Sequence, residues 1–153
     1  MHKIDPNVAV QNKEVVHKLY DECLNRNSTE AAERLLARDF TSSTAKNLEE
    51  FIAFMQSLHA AFNRLSFTVA DMVAEGDRVA VRWRMNGIHG GSWQGIEPTG
   101  KSIEQWANVI YRLQDAKVVE AWPQVDSLGL LQQLGAIPAD RFRPHGSDRE
   151  ADK

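Results

Sequence analysis

Few residues in this sequence have the types and spacing that chemistry requires. His17, His59 and His89 form no motif, and His2 and His145 lie near the ends. No cysteine or histidine pair has the spacing of a zinc site, so no metal is expected. Cys23 is the only cysteine. It can form no intrachain disulfide and reads as a small buried hydrophobe on a helix rather than a nucleophile. The glycine-bearing stretch Gly87–Gly100 joins two predicted strands and lacks the Lys-Ser/Thr ending of a phosphate-cradling loop. No serine sits in a nucleophile-elbow motif.

Two polar groups remain as candidates for proton transfer. His89 ends a strand at the border of a wide loop. There it can act as a general base or orient a substrate carbonyl, because imidazole titrates near neutrality. The other reading is a ring bonded to loop backbone. Asp126 lies where the last strand meets the last helix. It can supply acid–base chemistry, or it can cap the helix, a position that favours aspartate.

The elements that must position these groups follow from the apolar periodicity. Asp5-Pro6 starts a helix, with Pro6 at its first position. Its stripe is Val15, Val16, Leu19, Tyr20, Cys23 and Leu24, and it ends near Asn27. Asn27 and Glu30 have capping-box spacing for a short second helix through Leu36. Asn47 and Glu50 repeat that spacing before a third helix, with Leu48, Phe51, Ile52, Met55, Leu58, His59 and Phe62 on one stripe. Phe54 lies off the stripe, so that helix contacts apolar material on two sides. From Leu65 the pattern alternates. Strands are predicted at Leu65–Ala74, Val79–His89, Ile103–Leu113 and Val118–Val125, with a hairpin turn at Glu75-Gly76-Asp77. Pro123 should bulge or end the last strand. A last helix spans Ser127–Leu134, and Gly135 terminates it. Helices followed by strands indicate an α+β fold, with helices on one side of an antiparallel sheet.

Parity sorts the sheet into two faces. Val79, Val81, Trp83, Met85 and His89 share a face with Ile103, Gln105, Ala107, Val109, Tyr111 and Leu113. Small Ala107 among large apolar groups, with polar Gln105 and His89, describes either a ligand pocket or a core with satisfied polar groups. The other face carries Arg82, Arg84, Glu104, Trp106, Asn108, Ile110, Glu120 and Trp122. Tryptophans among mixed charges resemble an interface with a polar rim, so a homodimer through this face is expected. The alternative is tryptophans half covered by Arg and Glu stems. A bulge at Pro123 would leave the facing of Trp122 and Asp126 open.

With 153 residues, 42% apolar and 25% charged, the chain has the size and composition of one globular domain. Residues 1–139 are expected to form it, with 140–153 a polar tail that frays. A net charge of −3 gives no electrostatic reason to expect nucleic acid. No apolar run reaches the length of a membrane span, and the start, MHKIDPNVAV, lacks a signal-peptide core. A cytoplasmic protein is expected.

Several motifs together resemble the SnoaL-like polyketide (ester) cyclase family, of the nuclear-transport-factor-2-like superfamily. They are His89-Gly90-Gly91, Gly95-Ile96-Glu97-Pro98-Thr99-Gly100-Lys101, Tyr111-Arg112, Val118-Val119-Glu120-Ala121-Trp122 and Asp126-Ser127-Leu128-Gly129-Leu130-Leu131-Gln132-Gln133-Leu134-Gly135. The opening helix and Arg38-Asp39-Phe40 extend the match to about residues 12–136. The resemblance implies a cone-like curved sheet with an internal pocket between sheet and helices. It implies cofactor-free ring closure by intramolecular aldol condensation, using an aspartate near the end of the last strand and a histidine on the preceding strand. Here those positions fall on Pro123 and Val109. Asp126 and His89 are then the expected acid and base, with Trp83, Gln105, Tyr111, Phe51, Phe54, Leu24 and Trp122 around a polyketide- or terpenoid-like substrate. The reaction expected is cyclisation, isomerisation or hydration. The alternative is a binding or carrier protein for an apolar metabolite.

Overall fold

Asp5 caps the first helix, α1 (Pro6–Lys18): its carboxylate accepts the Asn7 N–H at 2.9 Å, and Pro6 opens the helix. The helix does not run on regularly to Asn27. In the computed structural model, which describes residues 5–140, Leu19–Leu24 widens into a π-helical turn. The histidines at 2 and 145, and all of the predicted tail beyond Asp140, lie outside the described residues.

The second helix, α2 (Thr29–Leu35), is capped by Ser28 rather than Asn27. The Ser28 hydroxyl accepts the Ala31 N–H, while Asn27 takes a left-handed φ of 52° in the turn before it. A strand the periodicity does not announce follows at once, β1 (Leu36–Thr41). Asn47 caps α3 (Leu48–Ala61) as its spacing predicts, accepting the Glu50 N–H. Glu50 reaches back to the N–H of Lys46, one residue earlier than a capping box requires.

Four strands then run antiparallel: β2 (Phe62–Glu75), β3 (Arg78–His89), β4 (Ser102–Gln114) and β5 (Lys117–Val125). The sheet order is β1-β5-β4-β3-β2, and β1 joins β5 in parallel, so the sheet is mixed. The helix α4 (Ser127–Gln133) closes the described fold.

Pro123 neither bulges nor ends its strand. It pairs in register with Val109, and the shift falls instead between Arg112 and Leu113. β1 pairs with β5 only as far as Glu120. Pro123 therefore stands where β5 is an edge strand, the setting that tolerates a missing N–H.

The predicted inner face is the core face. Val79, Val81, Trp83, Met85 and His89 are buried, as are Ile103, Gln105, Ala107, Val109, Tyr111 and Leu113. They meet Val16, Leu19 and Tyr20 from the first helix and turn, and Met55 and Leu58 from α3. Among the described residues no helix is long and apolar enough to cross a membrane.

Candidate functional site

The sheet and helices do not fill the space between them. A cavity of about 270 Å³ remains, walled by Leu19, Tyr20 and Leu24 of the π turn, Phe51, Phe54 and Leu58 of α3, and Trp83, Met85, Gln105, Val109 and Tyr111 of the sheet. Ser42, Ser43 and Thr44, Gln94 and Ser127 line it from three separate loops and helix starts. Ser43, Thr44, Gln94 and Ser127 are exposed, whereas Tyr20 and Tyr111 are buried. The cavity thus grades from a neutral polar mouth to an apolar interior.

At its buried end the hydroxyls of Tyr20 and Tyr111 lie 2.5 Å apart. The π turn places Tyr20 there, and such bulges are frequent at functional sites. Two interactions pin the turn. The Asn25 amide pairs with both backbone groups of Phe67, and the His59 Nε2–H donates to the Leu24 carbonyl at 2.7 Å. Burial raises both phenols above the ordinary tyrosine range, with their mutual interaction raising Tyr20 further. Both therefore stay protonated at neutral pH. Two hydroxyls carry two hydrogens, and one is used between them. The other has no protein acceptor among the described residues, so it can be donated into the cavity.

Gln105 offers the complementary group. Its amide N–H donates to the Asp126 carbonyl at 3.2 Å, which leaves its oxygen without a protein donor. Gln105 and Tyr111 stand on the same face of β4, so one strand presents both acceptor and donor to the cavity.

The six predicted lining residues Leu24, Phe51, Phe54, Trp83, Gln105 and Tyr111 come together around this space. Three other predicted site residues do not join them. Asp126 is exposed, and its carboxylate accepts the Gly129 N–H at 2.9 Å as the N-cap of α4. The capping reading is the one realised, because its backbone is held by Trp106 and Gln105 while its side chain turns to its own helix.

His89 is fully buried but outside the cavity wall. Its Nδ1 accepts the Thr99 N–H at 3.2 Å, which puts the ring proton on Nε2, and its backbone bonds Gly100 and Lys101. It anchors the β3–β4 loop, as the loop-bonded reading has it. Among the described residues its Nε2 finds no hydrogen-bond partner.

Trp122 is on the outer face, opposite Ile110, because the strand keeps its register through Pro123. Arg78 stacks 4.8 Å over its ring.

Among the wall residues that periodicity does not single out, Tyr20 and Trp93 matter most here. Tyr20 is one of six stripe positions on a helix, and nothing in the stripe distinguishes it. Trp93 lies in the loop after β3. Gly90 and Gly91 donate to the Ala61 carbonyl, and a β-carbon at Gly91 would collide with the Ala60 carbonyl. This close approach to the end of α3 sets Trp93 against Phe54 and Phe62, at 6.1 and 5.6 Å between ring centroids. The residues around the cavity supply no metal set: among the described residues no three His, Cys, Asp or Glu side chains gather to hold an ion.

A curved sheet clasping helices around a blind apolar cavity defines a cone of the nuclear-transport-factor-2-like kind. Within that class the chain belongs to the SnoaL-like polyketide cyclase family, whose model matches residues 14–134. Solved structures agree. A candidate SnoaL-like polyketide cyclase from Jannaschia sp. CCS1 is 27% identical, with 90% of this chain and 100% of that one covered and a TM-score of 0.79. IdmH, a candidate polyketide cyclase from Streptomyces antibioticus, is 28% identical over 82% of this chain and 99% of that one, TM-score 0.73. AclR from Streptomyces galilaeus, a candidate hydroxylase, is 26% identical over 90% and 87%, TM-score 0.76. No curated protein matches the chain.

Proposed function

We propose that the protein performs a cofactor-free, cyclase-type conversion of an apolar, carbonyl-bearing molecule in this cavity, with the Tyr20–Tyr111 pair holding the carbonyl oxygen. The phenol pair carries this reading. It sits in a buried wall, has one hydrogen to give, and keeps that hydrogen at neutral pH. A fixed donor at the point where negative charge develops lowers the barrier most in a water-poor site. In an intramolecular aldol closure, a substrate enol carbon attacks a carbonyl carbon. The carbonyl oxygen draws on the phenol hydrogen bond as charge builds, and the enol proton ends on the new hydroxyl. Substrate and product are then isomers, and no external reactant is consumed.

Among the described residues the wall contains no carboxylate, imidazole or ammonium group. The nucleophile must therefore arise in the substrate's own extended enol, and Asp126 and His89 take no part. The same observation favours the second reading, a carrier that holds an apolar metabolite unchanged. Incubation with a 1,3-diketone that has a further ketone within aldol reach separates the two. The enzyme reading expects an isomeric product by NMR, with formation slowed at least about tenfold in the double variant Tyr20→Phe/Tyr111→Phe, since loss of one such donor costs ~10²–10³. Recovery of the diketone bound but unchanged supports the carrier. Equal turnover by wild type and the double variant rejects the role of the phenols.

We also propose a homodimer through the outer sheet face. Trp106, Ile110 and Trp122 are exposed there, at 36%, 46% and 41%. Arg82, Arg84 and Arg112 alternate with Glu104 and Glu120 around them, which makes the face able to complement its own copy. A monomeric mass in light scattering at micromolar concentration rejects it.

A further inference from the structure

The cavity wall also limits what can enter. We infer that its ligand is an uncharged ketone whose buried part is no larger than about two fused six-membered rings. This rests on the reading of the cavity as a ligand site with the phenol pair as donor, and it adds the class of molecule.

The charge limit follows from the wall. Among the described residues no Asp, Glu, Lys, Arg or His side chain lines the cavity. A carboxylate carried past the hydroxyls of the mouth into the interior would exchange full hydration for one phenol hydrogen and apolar carbon, an arrangement that buried charges avoid. The phenols stay protonated and provide no counter-ion for a cation. An ammonium group would find neutral oxygens at the mouth, and inside it little beyond the phenols and the free oxygen of Gln105.

The size limit follows from volume. An apolar cavity of ~150 Å³ takes one benzene. At about 270 Å³, this one is less than twice that. Two fused rings fill it. A longer ring system must leave part of itself among the exposed Ser43, Thr44 and Gln94 at the mouth. The oxygen requirement follows from the phenol pair, whose one spare hydrogen asks for one acceptor.

Four probes test these limits on the full chain. They are 2-tetralone, tetralin (the same rings without oxygen), 2-naphthoate, and a tetracyclic ketone such as 5α-androstan-3-one. Trp83 and Trp93 line the cavity, so tryptophan fluorescence reports binding, with calorimetry as an independent measure. At neutral pH, 2-tetralone should bind at least about tenfold tighter than naphthoate, and the tetracycle should bind no tighter than tetralone because its outer rings stay at the mouth. Naphthoate should recover affinity as pH falls through its own carboxyl range, because the neutral acid meets the charge limit. In the double variant Tyr20→Phe/Tyr111→Phe the advantage of tetralone over tetralin should shrink.

Naphthoate binding as tightly as tetralone, or the tetracycle binding at least about tenfold tighter than tetralone because all its rings are buried, overturns the inference while leaving the cavity a ligand site. Tetralin equal to tetralone in wild type overturns the phenol contact, and with it the requirement for a ketone. Failure of all four to bind overturns the ligand site itself and everything built on it.

Discussion

Trp83 and Arg84 are consecutive in β3, and their partners across β4 are Ala107 and Trp106. One tryptophan therefore stands on each face of the sheet. Inside, Trp83 is buried, meets Phe67 edge-on at 5.1 Å, and faces the smallest side chain of its row. Outside, Trp106 is one-third exposed, donates its indole N–H to Glu104 at 2.9 Å, and lies under Arg82 at 5.0 Å. The residue type is the same in both places. What surrounds each ring decides its role: inside, Trp83 forms part of a cavity wall, and outside, an arginine covers Trp106.

Substitutions probe that contrast, and the largest effect is expected inside. Trp83→Ala should lower unfolding free energy by about 3–5 kcal/mol, the range for truncating a large buried aromatic. Urea denaturation measures it. A loss no greater than that of Trp106→Ala would remove the distinction between the faces.

The phenol pair comes next. Tyr111→Phe leaves the Tyr20 hydroxyl buried without its partner, a cost of about 1–3 kcal/mol. The double variant Tyr20→Phe/Tyr111→Phe removes both polar groups and should cost less than the two single changes added together. The pair also sets an alkaline limit. Both folded pKa values are raised above the ordinary 10.0, so their contribution is complete below that value. It is lost as pH rises above the unfolded value toward the raised folded ones. Wild type should lose stability more steeply than the double variant above that point, as urea midpoints measured against pH would show. Parallel curves would mean that the phenols are not held as the structure has them.

Asp126 sharpens the contrast at the edge of the sheet. Asp126→Ala should cost about 1 kcal/mol as a lost helix cap, with the affinity for 2-tetralone unchanged. Asp126→Asn should keep most of the stability, since asparagine caps as well. A change of ligand affinity in either variant would return Asp126 to the cavity.

These cases show what alternation can and cannot reveal. β3 and β4 are regular and paired on both sides, so a period of two sorts every inner residue from Val79 to Met85 and from Ile103 to Leu113 correctly. β1 escapes because it buries only Leu36 and Phe40 and meets β5 at two positions with a shift between them. That pairing is long-range, and no local pattern encodes it. Tyr20 lies on a visible helical stripe, yet its place in the cavity wall depends on the π turn, which the spacing of apolar residues does not distinguish from regular helix. At Asp126 and His89 the sequence permits both a chemical and a structural role. At Asp126 the carboxylate turns to the nearby Gly129 N–H while Gln105, distant in sequence, holds its backbone, and at His89 the partner is Thr99, folded back from the loop; spacing alone does not bring Gln105 or Thr99 into contact.

The smallest effect is expected outside, and its form matters more than its size. Trp106→Ala removes a ring under Arg82 that is already partly in water, worth about 0.5–1 kcal/mol at an exposed site. In a monomer that loss is the same at every protein concentration. In a dimer closed through this face, association itself stabilises the fold by mass action. The difference between wild type and Trp106→Ala should then widen as protein concentration rises. Urea midpoints at two concentrations an order of magnitude apart decide between them. A constant difference makes the outer tryptophans a covered surface of a monomer, and a growing one makes them half of an interface.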